Sequence, residues 1–182
     1  MILPDREIKG LLGKKLIAID PAPTADAYAS TSVDLTLDPL LRVFRAVGPG
    51  VIIDPSMPGY KVRALLDGLT DPVTITAQGW DFAPGVLLLG WTRERVELNL
   101  KARVAARVEG KSGLARLGLG IHVTAPTIHA GFAGTIQLEM INHGPMQIKL
   151  RPGMAICQLI LESTKGMPEK AYKGQFSGQR AK

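Results

Sequence analysis

Residues 108–145 read VEGKSGLARLGLGIHVTAPTIHAGFAGTIQLEMINHGP. Near the end of this stretch, in TIQLEMIN (135–142), Ile136, Leu138 and Met140 alternate with Gln137 and Glu139. A period of two puts the apolar set on one face of a strand and the polar pair on the other. A carboxylate between Leu138 and Met140 in so apolar a strand is expected to be partly desolvated. That raises its pKa towards a value suited to proton shuttling. A glutamate on the exposed face of an edge strand satisfies the same pattern. Near the start, Gly110-Lys111-Ser112-Gly113 joins a strand to LARLGL, which reads as one helical turn or bend. A glycine-flanked Lys-Ser can aim backbone N–H groups, a hydroxyl and a cation at one phosphate, and Arg116 adds a rigid fork of donors. Taken alone, GKSG is better explained as a tight surface turn with solvated charges, and the GxxxxGK pattern of a P-loop is not matched. His122 reads as a hydrogen-bonded histidine in an apolar strand, and His143 as part of the NHGP turn.

Outward from this stretch, strand and turn signals dominate. SVDLTL (32–37), VTITA (73–77), GVLLLGWT (85–92), VELNLKARVAARVEG (96–110), MQIKL (146–150) and AICQLIL (155–161) are expected strands, separated by turns such as RPGM. Short strands at close spacing, with 20 Gly and 13 Pro, argue for a barrel or sandwich. DREIKGLL (5–12) reads as a short helix capped by Asp5, with Ile8, Leu11 and Leu12 on one face; KVRALLDGL (61–69) is either a helix or an irregular excursion. The last stretch, KGMPEKAYKGQFSGQRAK, is polar and poor in core residues and reads as a mobile arm over 166–182, following a domain over 1–165.

The chain has 182 residues, enough for one domain with one core. No stretch is long and apolar enough to span a bilayer, and MILPDREIKG lacks the apolar region of a signal peptide, so a cytoplasmic location is expected with no membrane partner. The single Cys157 excludes a disulfide within the chain and reads as a buried side chain. Trp80 and Trp91 read as packing residues. Neither a CxxC pair nor an HxE…PCxxC arrangement is present, so no zinc is expected. The net charge of +6 suits a phosphate-bearing ligand; basic residues are dispersed and aromatics are only 5%, which disfavours a nucleic acid polymer.

Residues 108–161 resemble the core of the dCTP deaminase and dUTPase superfamily, most closely its dCTP deaminase branch. VEGKSGLARLGLGIHVTA is similar to that family's EGRSSLARLGL…HVTA motif, GFAGTIQLEM to GFxGxIxLE, and LRPGMAICQLILE to LxPGMxIxQLxFE. Earlier similarities, in order, are MILPDREIK, TSVDLTLDPLLRVF (31–44) and FAPGVLLLGWTRERVEL (82–98).

The resemblance implies a mainly β, distorted dUTPase-like barrel that forms a homotrimer with active sites between subunits. It implies deamination of dCTP to dUTP and ammonia, supplying thymidylate synthesis, by a route in which no metal activates the water. Magnesium would accompany the triphosphate. By motif position Glu139 is the general base and acid. Ser112, with the backbone around Thr124 and Ala125, positions the water and the base edge. Lys111, Ser112 and Arg116, with Gly113, Leu114 and Ala115 of the same motif, form the phosphate-binding segment. Gln137, Leu138 and Glu139 line the base pocket, and Asp34 has a mainly structural role. Tyr172, Gln175 and Gln179 belong to an arm closing over the triphosphate.

This chain departs from the family pattern at several positions. His129 replaces the usual aspartate near the sugar hydroxyl, Gly113 a second serine, Lys111 an arginine and Gln175 a lysine. The implied consequence is a weaker phosphate grip or a variant nucleotide. Two other functions stay open: a dUTPase or bifunctional enzyme, acting on dUTP, and a non-catalytic nucleotide sensor; binding of dTTP is permitted. His129 argues against dUTPase activity, and joint retention of Ser112, Arg116 and Glu139 argues against the sensor.

Overall fold

The computed structural model describes residues 1–170, 172, 178, 180 and 181. The chain opens with helix α1 (Asp5–Gly13), whose Ile8 is buried while Leu11 and Leu12 pack against the core. Asp5 is not its cap: Pro4 holds that position in extended conformation, and no side chain caps the helix. Asp5 lies instead in the first turn, where a negative charge suits the helix dipole, and accepts a hydrogen bond from Lys9 at 2.7 Å. Strands β1 (Ile17–Asp20), β2 (Val33–Thr36) and β3 (Leu40–Phe44) follow, then helix α2 (Val62–Leu69). The ambiguous KVRALLDGL segment is therefore helical.

Strand β4 (Thr70–Thr74) begins three residues before the expected VTITA strand. Its Pro72 is tolerated because β4 ends its sheet, where a missing N–H breaks no ladder bond on the open side. After β5 (Trp80–Phe82) comes β6 (Leu87–Leu98), one continuous strand where the sequence suggested two with a break around Arg93–Arg95. The charged run extends the strand because Glu94 turns inward. It is only 7% exposed, and its carboxylate accepts the Thr36 backbone N–H at 2.8 Å and the Thr36 hydroxyl at 2.6 Å. Conversely, the expected continuous strand over 96–110 is broken. Asn99 accepts a hydrogen bond from the Lys101 N–H at 2.9 Å, a 3-10 turn spans Leu100–Ala102, and Arg103 adopts φ 54°. The chain there leaves one sheet for another and continues as β7 (Val104–Gly110).

The remaining elements are helix α3 (Ser112–Ala115), β8 (Leu119–Gly120), β9 (Thr127–Ile128), β10 (Ala133–Asn142), β11 (Ile148–Leu150) and β12 (Ala155–Ser163). The fold is mainly β, as expected. Its ladders form a six-stranded sheet in the order β4-β3-β6-β10-β8 with β1 on β6, a four-stranded sheet β2-β12-β7-β9, and the pair β11-β5. No ladder among the described residues closes these sheets into one ring. They enclose one core, containing Leu35, Leu37, Leu88, Leu138, Met140 and Ile156. Cys157 is fully buried, and burial pushes its thiol pKa far up. Trp91 is buried, and Trp80 packs on Phe82 with ring centroids 5.8 Å apart. Among the described residues no helix is long and apolar enough to cross a membrane.

Candidate active site

Strand β10 carries the site. Gly134, Ile136, Leu138 and Met140 are buried, so Gln137 and Glu139 emerge half-buried on the opposite face. A register shift against β6 between Thr135 and Gln137 marks an irregularity just before this pair. The strand is interior, with β6 along its length and β8 at Ile141 and Asn142, so Glu139 is not on an edge strand. The β8–β9 loop, residues 121–126, covers its free flank. A cavity of about 250 Å³ opens there, walled by His122, Ala125, Gln137, Glu139, Phe132 and Tyr172 among others.

Burial raises the Glu139 carboxyl above its ordinary pKa. Backbone hydrogen bonds at Glu139 itself and at Val123, and the nearby His122, act against this shift without cancelling it. The site thus holds a carboxyl whose proton is retained more tightly than in water, facing a small, partly apolar chamber. That is a suitable arrangement for taking and returning a proton at one bound molecule.

Several expected site residues meet in this cavity: Ala125, His129, Gln137, Leu138, Glu139 and Tyr172 all line it. The His129 imidazole is stacked on the Tyr172 ring, centroids 5.5 Å apart and planes 22° apart. Phe132 also packs on Tyr172, with ring centroids 6.2 Å apart and planes tilted by 45°. The Tyr172 N–H donates to the Ala130 carbonyl at 3.3 Å, and the Gly178 N–H to the Ala133 carbonyl at 2.9 Å, so these described tail residues lie along the β9–β10 connection. Gln175 and Gln179 lie outside the described residues.

The segment expected to bind phosphate, residues 111–116, is not part of the cavity wall. Ser112, Gly113 and Ala115 are exposed on α3 and Arg116 is exposed at its C-terminal cap, Leu114 packs against the core, and Thr124 is exposed on the loop outside the lining. Lys111 is not free: its ammonium is paired with the carboxylate of Asp34 on β2. Arg116 makes no ion pair among the described residues. A Cβ added to Gly113 would meet nothing within 4 Å, so the glycine there answers no steric demand.

His122 overturns its expectation. It lies in the β8–β9 loop rather than a strand, and lines the cavity beside Glu139. Its Nε2 is 3.8 Å from a Glu109 carboxylate oxygen, while the buried Nδ1 has no hydrogen-bond partner among the described residues. It is the site residue that sequence reasoning passed over. Its position in the HVTA motif was the available signal. Among the described residues no cluster of three or more His, Cys, Asp or Glu gathers as a metal centre would require.

Comparison with known proteins agrees with this architecture. A family model described as dCTP deaminase-like matches residues 2–164. A dCTP deaminase of Rhodospirillum rubrum is 39% identical over 175 residues, covering 94% of this chain and 87% of that protein. A dCTP deaminase of Haemophilus ducreyi is 39% identical over 177 residues, covering 96% and 90%. The crystal structure of 2'-deoxycytidine 5'-triphosphate deaminase from Agrobacterium tumefaciens superposes with a TM-score of 0.68 at 24% identity. It covers 89% of this chain, which spans about half (48%) of that longer one, and supports the fold. The chain belongs to the dCTP deaminase-like family.

Proposed function

We propose that this protein deaminates dCTP to dUTP and ammonia by a metal-independent hydrolytic route, with Glu139 moving the protons. The observation that carries this reading is the half-buried Glu139 carboxyl, its pKa raised by desolvation, facing a cavity of about 250 Å³. Family membership and the relatives named dCTP deaminase supply the substrate class. In its charged form Glu139 accepts a proton from water as the oxygen attacks C4 of cytosine. It passes that proton to the ring nitrogen, then takes the remaining proton from the new C4 hydroxyl and delivers it to the amino group as the C–N bond breaks, so one water enters and one ammonia leaves. Gln137 and the Ala125 backbone flank this point and orient the base edge.

The exposure of Ser112 and Arg116 outside the cavity supports an assembly in which they serve a neighbouring copy's site. The proposed unit is a homotrimer, in which the hydroxyl and guanidinium meet the triphosphate and its accompanying magnesium. The segment after residue 165, with Tyr172 as its first anchor, closes over the nucleotide. We place the activity in the cytoplasm, upstream of thymidylate synthesis.

The test is incubation of purified protein with dCTP and, separately, dUTP in magnesium, with products resolved by chromatography. Formation of dUTP from dCTP, with dUTP itself left intact, is expected. Release of dUMP and pyrophosphate moves the protein to the dUTPase or bifunctional class. Nucleotide binding without turnover makes it a sensor.

A further inference from the structure

The junction between β7 and α3 is braced by two separate contacts, one reaching back to β2 and one to Ser32 just before it. The first is the pair between Lys111 and Asp34, side chains 30% and 22% exposed. The second is a relay: the Ser32 hydroxyl donates to Gln158 Oε1 at 3.0 Å, and Gln158 Nε2 donates to the Gly110 carbonyl at 3.0 Å. Ser32 is only 3% exposed. Gln158 lies on β12, directly opposite Asp34 on one side and Glu109 on the other, so β12 carries the relay while the ion pair reaches from β2 to the junction directly.

Helix α3 needs such bracing. It has four residues, too few to hold itself by helical hydrogen bonds, and only Leu114 packs against the core. Its placement is therefore set at its ends. The Lys111–Asp34 pair is also locally neutral, so it adds little attraction for a polyanion, whereas Arg116 has no ion-pair partner among the described residues. We propose that Asp34, Lys111 and Gln158 are positioning residues that hold α3 so that Ser112 and Arg116 meet the substrate, and that the Lys111 ammonium acts on Asp34 rather than on phosphate. This rests on the reading of the protein as a dCTP deaminase.

The test is a double-mutant cycle on the full chain with Asp34→Asn, Lys111→Met and the pair combined, adding Lys111→Arg and Gln158→Leu. Steady-state kinetics on dCTP and hydrogen–deuterium exchange of residues 112–116 are read for each. Asp34→Asn, Lys111→Met and Gln158→Leu each lower kcat/KM by roughly five- to tenfold, the Asp34–Lys111 double is no worse than either single, and Lys111→Arg stays near wild type. Amide exchange over 112–116 rises in Asp34→Asn, Lys111→Met and Gln158→Leu, with the unfolding midpoint little changed. A direct phosphate contact gives the opposite pattern: Lys111→Met raises KM while Asp34→Asn, which frees the ammonium, lowers it. That pattern, or unchanged exchange over 112–116, overturns the proposal. An inactive wild type whose exchange still rises in the variants defeats the functional reading alone and leaves the brace standing.

Discussion

The imidazole of His129 lies stacked on the phenol ring of Tyr172, 5.5 Å between centroids and 22° from parallel. Forty-three positions apart in sequence, the two form one wall of the cavity that holds Glu139. A stacked pair of this kind contributes about 0.5–1.5 kcal/mol beyond its buried area, or roughly a two- to twelvefold effect on a binding constant. Tyr172→Ala is expected to raise KM for dCTP by roughly that factor with kcat changed less than about twofold. Steady-state kinetics decide; a large fall in kcat at constant KM would show that the ring touches the reacting centre.

Glu139→Gln is expected to lower turnover by roughly 10²- to 10⁴-fold, the range for loss of a positioned proton carrier, with the fold intact by circular dichroism. A variant as active as wild type would remove Glu139 from the mechanism.

The same substitution carries a stability signature. Burial raises the folded carboxyl above its ordinary pKa, so the folded state binds this proton more tightly than the unfolded state. Wild-type stability therefore falls as pH rises from the unfolded value to the raised folded one, and levels off above it. Glutamine does not titrate. The Tm of Glu139→Gln relative to wild type is expected to climb through that window and then stay constant. Thermal melts at a series of pH values test this, and a difference independent of pH contradicts the desolvation argument.

Gly118 and Gly144 let two backbones cross where α3 meets the turn after β10. Gly118 adopts φ +95°, and a Cβ there would stand 2.2 Å from the Gly144 nitrogen; a Cβ on Gly144 would stand 2.1 Å from the Leu117 carbonyl oxygen. Backbone cannot yield as a flexible side chain does. Gly118→Ala and Gly144→Ala are each expected to cost about 1–3 kcal/mol in urea unfolding, with the double mutant less than additive because both disrupt one contact.

Glu94 is expected to matter for stability rather than for chemistry. Its buried carboxylate is satisfied by the Thr36 N–H and hydroxyl, and hydrogen bonds to charged groups contribute about 1.5–3 kcal/mol. Glu94→Ala should lower unfolding free energy by about that amount while kcat on dCTP stays near wild type. A loss of activity without a loss of stability would place Glu94 in the site instead.

Much of this architecture was legible residue by residue. The alternation in TIQLEM set the face of Glu139, while the motif resemblance assigned Gln137 to the base pocket, His129 to the sugar and Tyr172 to the closing arm, three residues that line one cavity. Period-two burial is a property of neighbours along one strand, so sequence can express it. The nature of the fold, mainly β with a short leading helix, followed from the same local patterns. Other features depended on partners far along the chain. Residues 93–95 fell between two expected strands, and the acceptor role of Glu94 becomes visible only when Thr36, 58 residues earlier, is laid beside it. Lys111 looked like a free cation until the four-stranded sheet brought Asp34, 77 positions away, against it. His122 looked like a core residue until its loop folded over the β10 face. Desolvation and charge pairing are set by whatever occupies the surrounding space, and only tertiary packing determines which segments those are.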